Sequence, residues 1–219
     1  MAYLNATRAI ELVAIEDGWV NDNPEKRDTN YNGKGLGIGR WVHLNRGLLK
    51  FDLDDVGVEE EALLSAELKL YGKALHPCIV KAEYTANSFD EATVTWNNQP
   101  PPTILHPPDT SLMGSTTDIP SEEGWFTVPI DLLFVKHRWG RNFYVILKGY
   151  EMAEDSYCSA KDKEEEAGLY APKLILHVSA PPTPPTPPSW WPIAAIGGGM
   201  CLIVVLSAVI IPEIQKMWK

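Results

Sequence analysis

Short apolar-rich runs alternate with polar, turn-forming segments along most of this chain, and little of it repeats at helical spacing. In GLLKFDL (47–53) and SAELKLYG (65–72) apolar and polar side chains alternate, as a strand with one buried face requires. Further β-rich runs are AIELVAI (9–15), CIVKAEYT (78–85), GWFTVPI (124–130), NFYVILKG (142–149) and PKLILHV (172–178). Segments rich in Asn, Gly, Pro and Asp separate them. Several short strands divided by turn signals predict an all-β fold, a jelly-roll β-sandwich. One segment, IDLLFVKHRWG (130–140), reads as helical with Gly140 as its stop.

The pattern changes at Ser179. SAPPTPPTPPSWWP (179–192) holds six prolines between Pro181 and Pro188. Such a run favours a stiff polyproline II stalk that rises about 3.1 Å per residue. Ile193 to Ile211 then runs for 19 residues without a charge. About 20 apolar residues cross the roughly 30 Å of a bilayer core. The expected organisation is a β-sandwich head (1–178), a Pro-rich stalk (179–192), a transmembrane helix (193–212) and a short basic tail (213–219). Trp190 and Trp191 flank the span between Ile193 and Ile211 on one side, where rings favour the headgroup layer. Lys216 and Lys219 follow it, which places the C-terminus in the cytoplasm and the head outside. MAYLNATRAIELVAIEDG, at the start, contains no visible signal peptide, so a cytosolic head on a tail anchor is the competing topology. Ala194 with Gly198 and Ala195 with Gly199 form small-xxx-small pairs that would let two such helices meet in a homo-oligomer.

Charge narrows the partners. The chain has 29 acidic and 19 basic residues; setting aside Glu213, Lys216 and Lys219 leaves 28 and 17 in the head. That excess argues against nucleic acid or an anionic lipid surface as the head's ligand. It suits neutral glycans, cations or basic proteins. Cys78 and Cys158 are either structural thiols or a pair, and no metal spacing of the CxxC kind occurs. GKGLGIG (33–39) lacks both the dinucleotide register and the P-loop glycine, which leaves a glycine-rich loop or bulged strand. The five histidines are scattered, and no nucleophile elbow is present. KDKEEEAG (161–168) reads as a solvated loop.

The order of motifs resembles a known family. EDGWV (16–20), NYNGKGLGIG (30–39), LLKFDL (48–53), LLSAELKLYG (63–72), FDEATVTWNNQPP (89–101), WFTVPI (125–130), NFYVILKG (142–149) and APKLILHV (171–178) follow one another as in the DNRLRE-domain family, grouped with family 96 carbohydrate-binding modules. The likeness spans about residues 10 to 178. It implies a noncatalytic jelly-roll module of extracellular or cell-surface proteins, some of which recognise polysaccharide. Phe89 stands where the family usually has Trp, and Lys161 stands near its usual Arg.

Trp19, Tyr31, Trp41, Trp139, Tyr150 and Tyr157 are the rings able to cover the apolar face of a sugar. Trp41, between Arg40 and His43 in an expected strand, ranks first and Tyr31 second. Trp19, Arg40 and Lys161 complete the expected ligand set. Trp96, Asn97 and Asn98 read as a turn anchor. Asp17, Asp28 and Asn30, with Asn32, offer hard oxygens suited to a structural Ca²⁺; the plain alternative is an Asx-rich turn. The leading functional reading is a membrane-anchored glycan-binding or adhesive module. A structural protein of an envelope or virion comes second. A glycan-acting enzyme, with an acid pair such as Glu151 and Glu154, comes third.

Overall fold

The computed structural model describes residues 7–107, 109–149 and 156–179. They form eleven strands and one short α-helix. The strands are β1 (Thr7–Val13), β2 (Glu16–Asn21), β3 (Leu36–Arg40), β4 (Leu44–Asp52), β5 (Leu63–Ala74) and β6 (Val80–Thr85). After them come β7 (Leu112–Thr116), β8 (Gly124–Ile130), α1 (Leu132–His137), β9 (Asn142–Lys148), β10 (Ser156–Ala160) and β11 (Lys173–Ser179). Chain contacts separate Met1–Ala180 from Pro181–Lys219.

The pairings are antiparallel and follow the order β1-β11-β5-β10-β3-β4-β9-β6-β7, with β2 added to β4 and β8 to β5. The sheet curls until β7 approaches β8. There the Asp131 N–H donates to the Met113 carbonyl at 2.8 Å. Gly114 permits this approach, because a Cβ there would fall 1.7 Å from the Pro129 carbonyl oxygen. The curled antiparallel sheet agrees with the β-sandwich expectation.

Leu49 and Phe51 of β4, Leu68 and Leu70 of β5, Val145 of β9 and Leu174 of β11 meet in the main core. From Ala66 to Gly72 every second residue of β5 is buried, as its alternating sequence predicts. β4 and β9 differ: their opposite faces are covered as well, by Val20, Phe89, Val94 and, less deeply, Trp96. Adjacent Leu48 and Leu49 are therefore both buried, which explains the break in alternation. Phe89 meets Tyr144 edge-on at 6.1 Å and so fills the cover despite being smaller than Trp.

Trp96 serves as the expected turn anchor. Its carbonyl accepts Gln99 Nε2 at 3.0 Å, and the Arg46 guanidinium lies 4.8 Å from its ring. Asn98 closes the turn by accepting the Thr95 amide at 2.6 Å and donating to the Thr93 carbonyl at 3.1 Å. The helix also appears, capped by Asp131, which accepts the Leu133 amide at 2.9 Å. It ends at His137, earlier than the sequence pattern suggested, and Gly140 takes the left-handed turn at φ 69°.

One expected loop or bulged strand proves to be both, and two other elements depart from expectation. GKGLGIG divides: Gly33 and Gly35 turn with positive φ, while Leu36–Arg40 becomes β3 with Leu36 and Ile38 in the core. Trp41 lies beyond β3, in the turn to β4. KDKEEEAG is not simply solvated. Asp162 is fully buried, because its carboxylate accepts the amides of Gly35 (2.5 Å), Glu164 (3.1 Å) and Glu165 (2.9 Å).

The stalk, the span, Trp190, Trp191, Ile193, Ile211, Lys216 and Lys219 lie outside the described residues. Among the described residues, no helix is long and apolar enough to cross a membrane.

Candidate functional site

The register of β3 and β10 creates the site. Leu36 and Ile38 of β3 and Cys158 and Ala160 of β10 point into the core, so Gly37, Tyr157 and Ser159 stand on the other face. Gly37 and Ser159 are direct partners across the two strands. A Cβ on Gly37 would lie 3.0 Å from the Trp19 ring and 3.1 Å from the Tyr157 hydroxyl oxygen. The bare glycine thus makes room for the Trp19 ring and the Tyr157 hydroxyl. Trp41 extends this ridge, its ring centre 6.1 Å from Tyr157 and 5.8 Å from His76. Trp41 is 54 % exposed.

Beside the ridge is a cleft of about 160 Å³, lined by Trp19, Lys34, Gly37, Tyr157, Ser159, Lys161, Glu123 and Glu165 among others. Enclosed small-molecule sites run to roughly 300–1,000 Å³. This cleft is smaller and open, a shape suited to one unit or edge of a larger ligand. Its polar groups are mixed in charge. Lys161 Nζ lies 3.7 Å from both Glu165 Oε1 and Glu166 Oε1. Burial alone would lower the Lys161 pKa, but Glu165, Glu123 and Glu166 outweigh it and raise the value. Lys161 is therefore an ammonium at neutral pH. Burial also raises the Tyr157 phenol, which stays protonated and able to donate a hydrogen bond.

Of the expected ligand residues, Trp19, Trp41 and Lys161 meet at this ridge and cleft, together with Tyr157. Tyr31 stands behind Trp19, stacked at 4.1 Å. Arg40 ends β3 opposite Ser156 and is not among the cleft-lining residues. Trp139 packs against the main core instead. Tyr150, Glu151 and Glu154 lie outside the described residues. Lys34, Glu123 and Glu165 escaped sequence reasoning. Lys34 stands in a glycine-rich loop, while Glu123 and Glu165 sit in acidic runs; only the folding of three separate loops toward β3 collects them.

A family model for carbohydrate-binding module family 96 matches residues 8–177. The chain belongs to carbohydrate-binding module family 96. No curated protein matches it. The match covers the whole described sheet up to β11, so the ridge and the cleft lie within the family 96 module.

The module's acidic oxygens group differently from the expected set. Asp17 on β2 meets Glu91 and Glu164, with one carboxylate oxygen of each within 4.8 Å of the others. Asp17 is fully buried; its Oδ2 accepts the Lys163 amide at 2.8 Å, and its Oδ1 has no hydrogen-bond partner among the described residues. Burial raises its pKa to about 7, opposed by the hydrogen bond from the Lys163 amide and assisted by Glu164. Lys163 Nζ bonds Glu91 Oε2 at 2.6 Å and also Glu164 Oε1. Asp28 and Asn30 are engaged elsewhere. Asp28 accepts Asn97 Nδ2 at 2.7 Å, and Asn30 Nδ2 donates to the carbonyls of Glu91 (2.7 Å) and Val94 (2.9 Å). Asn30 thus holds the loop that carries Glu91 rather than offering its oxygen to that cluster.

Proposed function

We propose that this family 96 module is a noncatalytic jelly-roll head that binds polysaccharide along the Trp41–Tyr157–Trp19 ridge. The observation that carries this reading is the continuous row of rings bordering an open cleft of mixed charge. Rings supply flat apolar surface for the C–H faces of successive sugar units. Lys34, Lys161, Glu123 and Glu165 supply donors and acceptors for hydroxyls in the cleft between them. Membership of a family of binding modules supports a carbohydrate ligand.

The charge-free run from Ile193 to Ile211 supports an anchor that would hold this head at a membrane. Its stalk would hold the module away from the bilayer, on the extracellular side, with Lys216 and Lys219 in the cytoplasm. A glycan-binding head on a stalk acts as an adhesion or capture device at the cell surface.

Two measurements test the reading. The full-length chain in mild detergent should be retarded in native gels containing its polysaccharide, and Tyr157→Ala should weaken the retardation at least tenfold. A folded chain that binds no polymer in a broad polysaccharide panel rejects glycan recognition. Protease treatment of intact and opened cells then tests topology. Cleavage of the head only after opening rejects the extracellular assignment.

A further inference from the structure

We infer that Asp17, Glu91 and Glu164 form a binding site for a hard divalent cation of the calcium class, which exchanges with the Lys163 ammonium. The site goes beyond glycan recognition and stands on its own geometry.

Three observations converge. The first is spacing: the three oxygens lie within 4.8 Å of one another. Oxygens bind Ca²⁺ at about 2.3–2.6 Å, so two of them can stand about 5 Å apart across one ion. The second is Asp17 Oδ1, buried and without a partner among the described residues. A buried carboxylate oxygen without a donor is costly, and a cation held by the Asp17 carboxylate would offset that cost. The third is Lys163. Its ammonium already bonds two of the three carboxylates, which identifies the cluster as a place that holds positive charge. Asp17, Glu91 and Glu164 set three carboxyl groups around one ammonium, an arrangement that a divalent ion fills better. The Lys163 side chain retains 18 % exposure, so its flexible stem has a route to water when the ion enters. Glu164 is exposed, which leaves the outer coordination positions to water.

The three ligands come from distant parts of the chain: β2, the loop covering β4 and β9, and the loop after β10. An ion among them would tie those parts together. The loop after β10 also supplies Lys161 and Glu165 to the cleft. The cation would therefore fix one wall of the glycan cleft without touching the sugar.

The experiment is thermal unfolding of the full-length chain in detergent, in EDTA and in millimolar calcium chloride, with calorimetric titration of Ca²⁺ alongside. The wild-type chain should melt several degrees higher in Ca²⁺ and bind one ion with this dependence on Asp17. Asp17→Asn and Glu91→Gln should each abolish the shift. Lys163→Met removes the competitor: it should melt below wild type in EDTA and bind Ca²⁺ at least tenfold more tightly. A wild-type chain indifferent to Ca²⁺ in both measurements overturns the inference. So does a Lys163→Met variant whose lost stability Ca²⁺ fails to restore, because Lys163 is then the permanent cation. If Asp17→Asn fails to fold, Glu91→Gln and Lys163→Met carry the test. Glycan retardation is read separately, so loss of that binding with an intact Ca²⁺ response rejects the ridge and leaves the cation site standing.

Discussion

Tyr31 stacks on Trp19 with ring centres 4.1 Å apart and planes inclined by 27°. One face of Trp19 is thereby occupied within the protein, and its Cε3–Cζ3 edge borders Gly37. Tyr31 acts on the cleft through Trp19, whereas Trp41 presents its ring to solvent. Tyr31→Ala should cost about 1 kcal/mol or more of stability, since an aromatic pair contributes about 0.5–1.5 kcal/mol beyond its buried area. Trp41→Ala should stay within about 0.5 kcal/mol of wild type, as exposed substitutions do, yet lose most polysaccharide retardation. Chemical denaturation and affinity gels separate the two effects.

Gly37 sets the distance between Trp19 and Tyr157. Gly37→Val places branched carbons where a single Cβ already approaches the Trp19 ring to 3.0 Å and the Tyr157 hydroxyl to 3.1 Å. The rings must spread and the cleft must narrow. Such overpacking costs about 1–3 kcal/mol. The variant should fold, with a lower melting temperature and little or no polymer binding.

Asp162 ties the loop after β10 to the glycine turn before β3. Asp162→Ala removes the acceptor of three backbone amides. Unsatisfied buried donors cost about 1–3 kcal/mol each, although water can reach some of them once the carboxylate is gone. A total loss of about 2–4 kcal/mol in urea denaturation is expected, with Asp162→Asn intermediate because its amide oxygen still accepts.

Cys78 and Cys158 are both buried and unbridged. The Cys158 thiol is pushed well above its ordinary pKa by its hydrogen bond with Cys78 and by burial. Thiolate is the reactive form, which protects Cys158; Cys78, whose pKa its hydrogen bond with Cys158 lowers, is shielded by burial instead. In a Cys201→Ser background neither should react with maleimide until the head is unfolded. Rapid labelling of the native chain would refute this.

The strands were legible where burial is one-sided. β5 alternates because only one of its faces enters the core. GKGLGIG reads as either a loop or a bulged strand because Gly37 and Gly39 supply no side chains to the outer face of β3, so the apolar signal reduces to Leu36 and Ile38. β7 presents only Met113 to the core. KDKEEEAG misled for a different reason: charge composition reads as solvation, while Asp162 is buried as an acceptor for backbone amides, a role no periodicity announces. Rings could be nominated from sequence, but only the pairing of β3 with β10 separates Tyr157, on the ridge, from Trp139, packed against the core. Glu91 and Glu164 lay beyond reach altogether, since their meeting with Asp17 depends on two long loops closing over β2.

β11 is the last strand before the proline-rich segment, and it runs between β1 and β5, hydrogen-bonded on both sides. Traction on the C-terminal side therefore enters the sheet at an interior strand rather than at a free margin. Two ladders must yield before that strand can leave, one of them in register with β1 from Thr7↔Ser179 to Val13↔Lys173. A head captured by a polymer and pulled by its own tether would carry the load through a strand held along both edges.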